Sequence, residues 1–167
     1  MTIAGVKGLY QFTGIQSKQA FSPPFTLRTA AAGILAHGAP IEFYLVNKDL
    51  SEYLVISANL NPQNRNYHGI SLNSTTAGLD QGRAHGHSLN IASSAVDVGQ
   101  WYSIAIDLDA RGKANMTMRD GSGAVLAAEE QLNIGRGPFY IVLGQREGWP
   151  YTAGANEGVW AWLEVSR

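Results

Sequence analysis

The segment WYSIAIDLDARGKANMTMR, residues 101–119, followed by the turn DGSG at 120–123, decides the fold. In its first half Tyr102, Ile104, Ile106 and Leu108 fall on one side of an extended chain, and Trp101, Ser103, Ala105 and Asp107 fall on the other. That alternation predicts a half-buried strand. Asp109, Ala110, Arg111 and Gly112 supply turn chemistry, and Met116 and Met118 then alternate with Asn115, Thr117 and Arg119, so a second strand is expected beside the first. The DGSG turn reverses the chain again, and residues 124–128 can start a third strand. Three antiparallel strands with one apolar face need a second layer, because a single sheet cannot hide that face from water.

Working outward, the same period recurs. Residues 5–13 read as a strand entering a loop around Ser17, Lys18 and Gln19, and Pro23-Pro24 interrupts regular structure. Residues 25–35 have the length of a long strand whose small residues, 30–33, allow close approach by a neighbouring backbone or a ligand. The alternative there is a helix through the alanine run, since alanine favours helix. Ile41, Phe43 and Leu45 alternate with Glu42, Tyr44 and Val46, and Leu54, Ile56, Ala58 and Leu60 alternate with Tyr53, Val55, Ser57 and Asn59. With Asn47-Lys48-Asp49 as a turn, these runs predict a hairpin. Short strands follow at 67–73 and 88–92, a polar loop at 74–87, a connection at 129–138, a strand from Phe139, a loop at 145–156, and a last strand at 159–165. No stretch keeps a helical period over a helix length. Ten or more short strands in one chain predict two sheets packed face to face, an all-β antiparallel sandwich of jelly-roll type.

Composition narrows the function classes. The 167 residues fit one sandwich domain, 1–167, large enough to bury a real core. Charged residues make up 15% and the formal net charge is −1, so no basic field favours nucleic acid or an anionic membrane, and neither is expected as a partner. The absence of cysteine removes disulfide scaffolds, thiolate metal sites and cysteine nucleophiles. The opening residues lack the apolar run of a signal peptide or a membrane span. The chain is compatible with a place in a larger multidomain protein, and with an extracellular or cell-surface position if that protein is exported by a bacterium.

The tryptophan-opened strand in WYSIAIDLDARGKANMTMRDGSGAVLA, the late strand FYIVLGQ and the terminal strand VWAWLEV together resemble the concanavalin A-like lectin and glucanase superfamily, including laminin-G-like modules. The resemblance implies a two-sheet jelly roll whose sheet face and edge loops bind glycans, sometimes with calcium, and in some branches hydrolyse them. It also leaves open a protein-interaction or structural role of the laminin-G kind. The Glu-x-Asp-x-x-Glu run of one glucanase branch is missing here, as are the motifs of alginate-lyase-like members. A carboxylate pair assembled from distant residues, such as Glu42 with Glu147, would make the chain a glycoside hydrolase or polysaccharide lyase. No catalytic residue is assigned.

If the apolar set of the paired strands faces the core, its alternates face outward, among them Glu42, Tyr44, Tyr53, Ser57, Asn59, Ser71, Asn73, Tyr140 and Arg146. These offer rings for the apolar faces of sugars and directional groups for hydroxyls. With the loop residues Glu147, Trp149 and Tyr151, the expected binding set is Glu42, Tyr44, Asn59, Tyr140, Arg146, Glu147, Trp149 and Tyr151, and carbohydrate is the expected partner. Any solvent-facing sheet also carries polar and tyrosine residues, so this pattern alone is not specific. Trp160 and Trp162 share one side of the last strand, either as a stacking platform or as core. His85 and His87 lack a third ligand, and Asp80, Asp107 and Asp109 lie in no calcium-loop pattern. No cofactor, and no calcium, is assigned.

Overall fold

A computed structural model describes residues 12–35, 41–49, 51–59, 69–75, 87–91, 99–146 and 157–167. Among them lie eleven strands and no helix: β1 (Phe12–Gln16), β2 (Phe25–Leu35), β3 (Ile41–Val46), β4 (Tyr53–Asn59), β5 (Gly69–Thr75), β6 (His87–Ile91), β7 (Trp101–Leu108), β8 (Lys113–Arg119), β9 (Val125–Asn133), β10 (Tyr140–Arg146) and β11 (Glu157–Ser166). The alanine run is strand, not helix. Its residues are held on both sides, by β7 and by β11, and pairing to two neighbours overrides a local preference.

The strands form two antiparallel sheets. One has six strands in the order β1-β10-β3-β4-β5-β6, and the other five in the order β11-β2-β7-β8-β9. The expected second layer for residues 101–119 is therefore the six-stranded sheet. Tyr102, Ile104, Ile106 and Leu108 meet Met116 and Met118 on the inner face of one sheet, and Phe43, Leu45, Leu54, Ile56, Ile141 and Leu143 close over them from the other. Burying such side chains contributes roughly 1.5 to 3 kcal/mol each, the main term holding the layers together.

Two turns of the central meander share one construction. Asp109 accepts the Arg111 and Lys113 backbone N–H groups on its carboxylate, at 2.8 and 2.9 Å, and Gly112 closes the turn with φ +83. Asp120 accepts from Ser122 and Ala124 at 2.9 and 3.0 Å, and Gly123 has φ +88. In each, an aspartate organises the loop and a left-handed glycine resets the strand direction. β9 runs beyond the expected 124–128 to Asn133, through a register shift that starts after Met116 pairs with Glu129. The alternation is broken there, which is why residues 129–133 read as connection.

Turn carboxylates confer a pH dependence. The Ser51 hydroxyl on Asp49, the Lys113 N–H on Asp109 and the Ser122 hydroxyl on Asp120 are the leading causes that hold each acid below its ordinary value of 3.8. A depressed folded-state value contributes stability above the unfolded value, and that contribution is lost as pH falls through the folded one. Thermal midpoints should therefore fall as pH drops below about 4. The triple variant Asp49→Asn, Asp109→Asn, Asp120→Asn should show a flatter decline over that range, and a decline identical to the parent's would refute this origin.

Candidate functional site

The outward face of the six-stranded sheet carries most of the residues in the expected site. Pairing fixes which positions share that face. Tyr44 lies opposite Val55 on β4 and Val142 on β10; Glu42 lies opposite Ser57 and Gly144; Val46 lies opposite Tyr53 and Tyr140. Across β4 and β5 the face continues through Val55 and Asn73, Ser57 and Ser71, and Asn59 and Gly69. At the β6 edge it ends on Ser88 beside Asn73 and Asn90 beside Ser71.

The centre of this face is closed to solvent. Glu42 is 0% exposed and Tyr44 2%, and Val46, Tyr53, Val55 and Val142 are buried with it. Tyr44, Val46, Tyr53, Val55 and Val142 form an apolar cluster of their own, separate from the core, with Tyr140 packed against it. The Tyr44 hydroxyl donates to the Glu42 carboxylate. The expectation that Glu42, Tyr44 and Tyr53 face solvent is thus corrected. Their strands do alternate as expected, but valines from three strands surround the tyrosines, and an apolar patch of that kind is stable only out of water. Such a face leaves Glu42 and Tyr44 as supports for neighbouring groups rather than surfaces for direct contact.

The remaining expected residues separate by position. Tyr140 is half-buried at the β10 end of the cluster. Asn59 closes β4, at the polar side of the face, and Arg146 closes β10, opposite Phe12 of β1. Glu147, Trp149 and Tyr151 lie outside the described residues, as does His85, so neither the loop aromatics nor the pairing of Glu42 with Glu147 is placed. The polar run Ser57, Ser71, Asn73, Ser88 and Asn90 is drawn together only by the pairing of β4, β5 and β6. Ser88 and Asn90 were not expected there, and their alternation with Leu89 in SLN was the available signal.

Other candidates fall to local roles. Asp107 accepts a 2.8 Å hydrogen bond from the Thr26 hydroxyl, and Asp109 is occupied by its own turn. No group of three or more His, Cys, Asp or Glu is positioned for a metal ion among the described residues. Trp160 and Trp162 do not share a side: Trp160 pairs with Ala31 and Trp162 with Ala30, so Ala161 is an inserted bulge residue. Trp160 packs on the core, whereas Trp162 is exposed.

No protein-family model matches the sequence, and no curated protein sequence matches it. Solved structures do. A toad ovary galectin, in complex with thio-digalactose, superposes with a TM-score of 0.56 at 13% identity, covering 92% of this chain and 98% of its own. CG-16, a homodimeric agglutinin from chicken liver, gives a TM-score of 0.55 at 14% identity, over 92% of this chain and 100% of its own. A xylan β-1,4-xylosidase from Bacillus halodurans gives 0.56 at 6% identity over 95% of this chain, which spans only 30% of that enzyme. At such identities the likeness is one of architecture. The chain has the two-sheet, concanavalin A-like jelly-roll fold, in the form that galectins also have.

Proposed function

We propose that the chain is a non-catalytic, lectin-like module that binds a poly- or oligosaccharide across the outward face of its six-stranded sheet. The observation that carries the reading is the division of that face. An apolar, closed centre lies beside a polar run on β4, β5 and β6, with Asn59, Ser57, Ser71, Asn73, Ser88 and Asn90 in register. Amide and hydroxyl groups of this kind match sugar hydroxyls as paired donors and acceptors. Tyr140 and Arg146 border the face at β10, Glu42 and Tyr44 stiffen its centre, and Glu147, Trp149 and Tyr151, which follow β10 in the sequence, are the further residues assigned to contact. Galectin architecture over 92% of the chain supports the same reading, the toad protein being bound to thio-digalactose.

Single-site affinity is expected at about 4 to 8 kcal/mol, roughly millimolar to micromolar. A glycan array, with pull-down on cellulose, xylan and chitin, tests the reading directly. Asn59→Ala with Asn73→Ala should weaken binding about tenfold, a loss of ~1.4 kcal/mol, with thermal stability kept. Trp149→Ala with Tyr151→Ala tests the loop. No retained glycan, or retention untouched by both double variants, sinks the proposal. An enzymatic reading has one supporting observation, the buried Glu42 carboxylate held by Tyr44. It requires product from a polysaccharide panel that Glu42→Gln abolishes.

A further inference from the structure

The five-stranded sheet has an outward face too, and the position of Trp162 there depends on the bulge. In an unbroken ladder two tryptophans two residues apart would point the same way; the bulge at Ala161 instead packs Trp160 on the core and turns Trp162 outward, 48% exposed. Trp101 opens β7 on the same face, opposite Ala32, and is 43% exposed. Ala30 lies between the two columns, paired on one side with Trp162 and on the other with Ser103. Two indoles therefore stand on a floor of methyl groups. From strand spacing, their Cα atoms are roughly 12 Å apart, two strands across and two residues along. Exposed large aromatics in a group are uncommon on a surface with no partner.

Charge identifies the occupant. Arg119 continues the row from Ala30 through Ser103, and Arg28 lies two residues along β2 from Ala30. Both are exposed. Arg119 donates to the Gly123 carbonyl at 2.9 Å, and a guanidinium has further N–H groups to offer. Two carboxylates share this face on β7 and β11: Glu164, opposite Arg28 on β11, and Asp107, which lies two rows from Trp162, three from Trp101, and accepts from the Thr26 hydroxyl, so the charged groups nearest the indoles are two arginines and one glutamate. Flat rings with apolar faces, linked in a chain and carrying carboxylates, complement that arrangement. We infer that the Trp101 and Trp162 platform, with Arg28 and Arg119, is a second binding surface, for a uronic-acid-bearing polysaccharide. It is independent of the polar face on the opposite sheet.

Affinity electrophoresis of the whole chain in gels containing polygalacturonate, alginate or hyaluronan tests this, with the carboxyl-reduced form of each polymer as the uncharged counterpart. At least one acidic polymer should retard the protein, its reduced form much less, and Trp101→Ala or Trp162→Ala should weaken retardation about tenfold. Trp162→Phe should restore part of it. Arg28→Gln with Arg119→Gln should weaken retardation and flatten its dependence on salt. Thermal midpoints of the variants, compared with the parent, ensure that folded protein is measured. Asn59→Ala with Asn73→Ala should leave retardation by the acidic polymer in place, which keeps this outcome separate from the first proposal. Retardation by none of the three polymers, equal retardation by the reduced forms, or retardation indifferent to both tryptophan variants would overturn it.

Discussion

Replacing Gly112 with alanine should lower stability by about 3 to 5 kcal/mol, a fall of roughly 10 °C in thermal midpoint for a chain of this size. Two effects combine. Gly112 has φ +83, a conformation that costs a residue with a Cβ roughly 1 to 2 kcal/mol. The added methyl would also collide with the Gly135 carbonyl, its carbon 2.6 Å from the carbonyl carbon. That obstacle is backbone and cannot rotate aside. It is moreover fixed, because Ile134 donates to the Gly112 carbonyl at 3.1 Å, and the next residues, Arg136 and Gly137, donate to the Glu52 carboxylate at 3.2 and 2.9 Å. Glu52 belongs to the turn between β3 and β4, so this small cluster ties the central meander to the opposite sheet. Gly123→Ala is the control. It has φ +88 in a turn of the same construction, but nothing lies within 4 Å of the added methyl, so it should cost only the conformational part. Equal losses for the two variants, measured by thermal or denaturant unfolding, would show that the collision is not the cause.

The sequence made the layers legible and the closure of their outer faces much less so. Period-two alternation is a local property, and in residues 101–119 it placed every inner and outer side chain correctly, because both turns carry the aspartate and glycine that fix register. Alternation separates two faces without saying which is wet. In YLVI and YIVL the outward residues are themselves Tyr and Val, so the runs are apolar on both sides, which is the pattern of strands covered twice. The hydroxyl of Tyr44 and the carboxylate of Glu42 masked that pattern, and their pairing with each other is a tertiary fact. The bulge at Ala161 was hidden for a different reason. Counting by two assumes an unbroken ladder, and only the partner strand, with Ala30 and Ala31 adjacent, reveals the extra residue. The polar run on β5 and β6 depends likewise on which strands become neighbours.

Tyr44 provides the sharpest test of which description of the six-stranded sheet is right. Were it a solvent-facing residue, as alternation alone implies, Tyr44→Ala would change stability by less than about 0.5 kcal/mol. Buried among Val46, Tyr53, Val55 and Val142, it should instead cost about 3 to 5 kcal/mol, the range for removing a large aromatic from a core. Tyr44→Phe separates the ring from the hydroxyl. It keeps the packing but withdraws the hydrogen bond to Glu42, whose carboxylate is closed off from water, so a loss of about 1 to 3 kcal/mol is expected. The paired variant Tyr44→Phe, Glu42→Gln should recover part of that loss, since an amide is less costly to bury than a carboxylate. These measurements also bear on function. If Tyr44→Phe is destabilised yet still binds glycan with parental affinity in the folded population, the Glu42 and Tyr44 pair is a foundation for the polar flank, and contact with the ligand belongs to β4, β5 and β6. A stable Tyr44→Phe with weakened binding would return both residues to the contact surface.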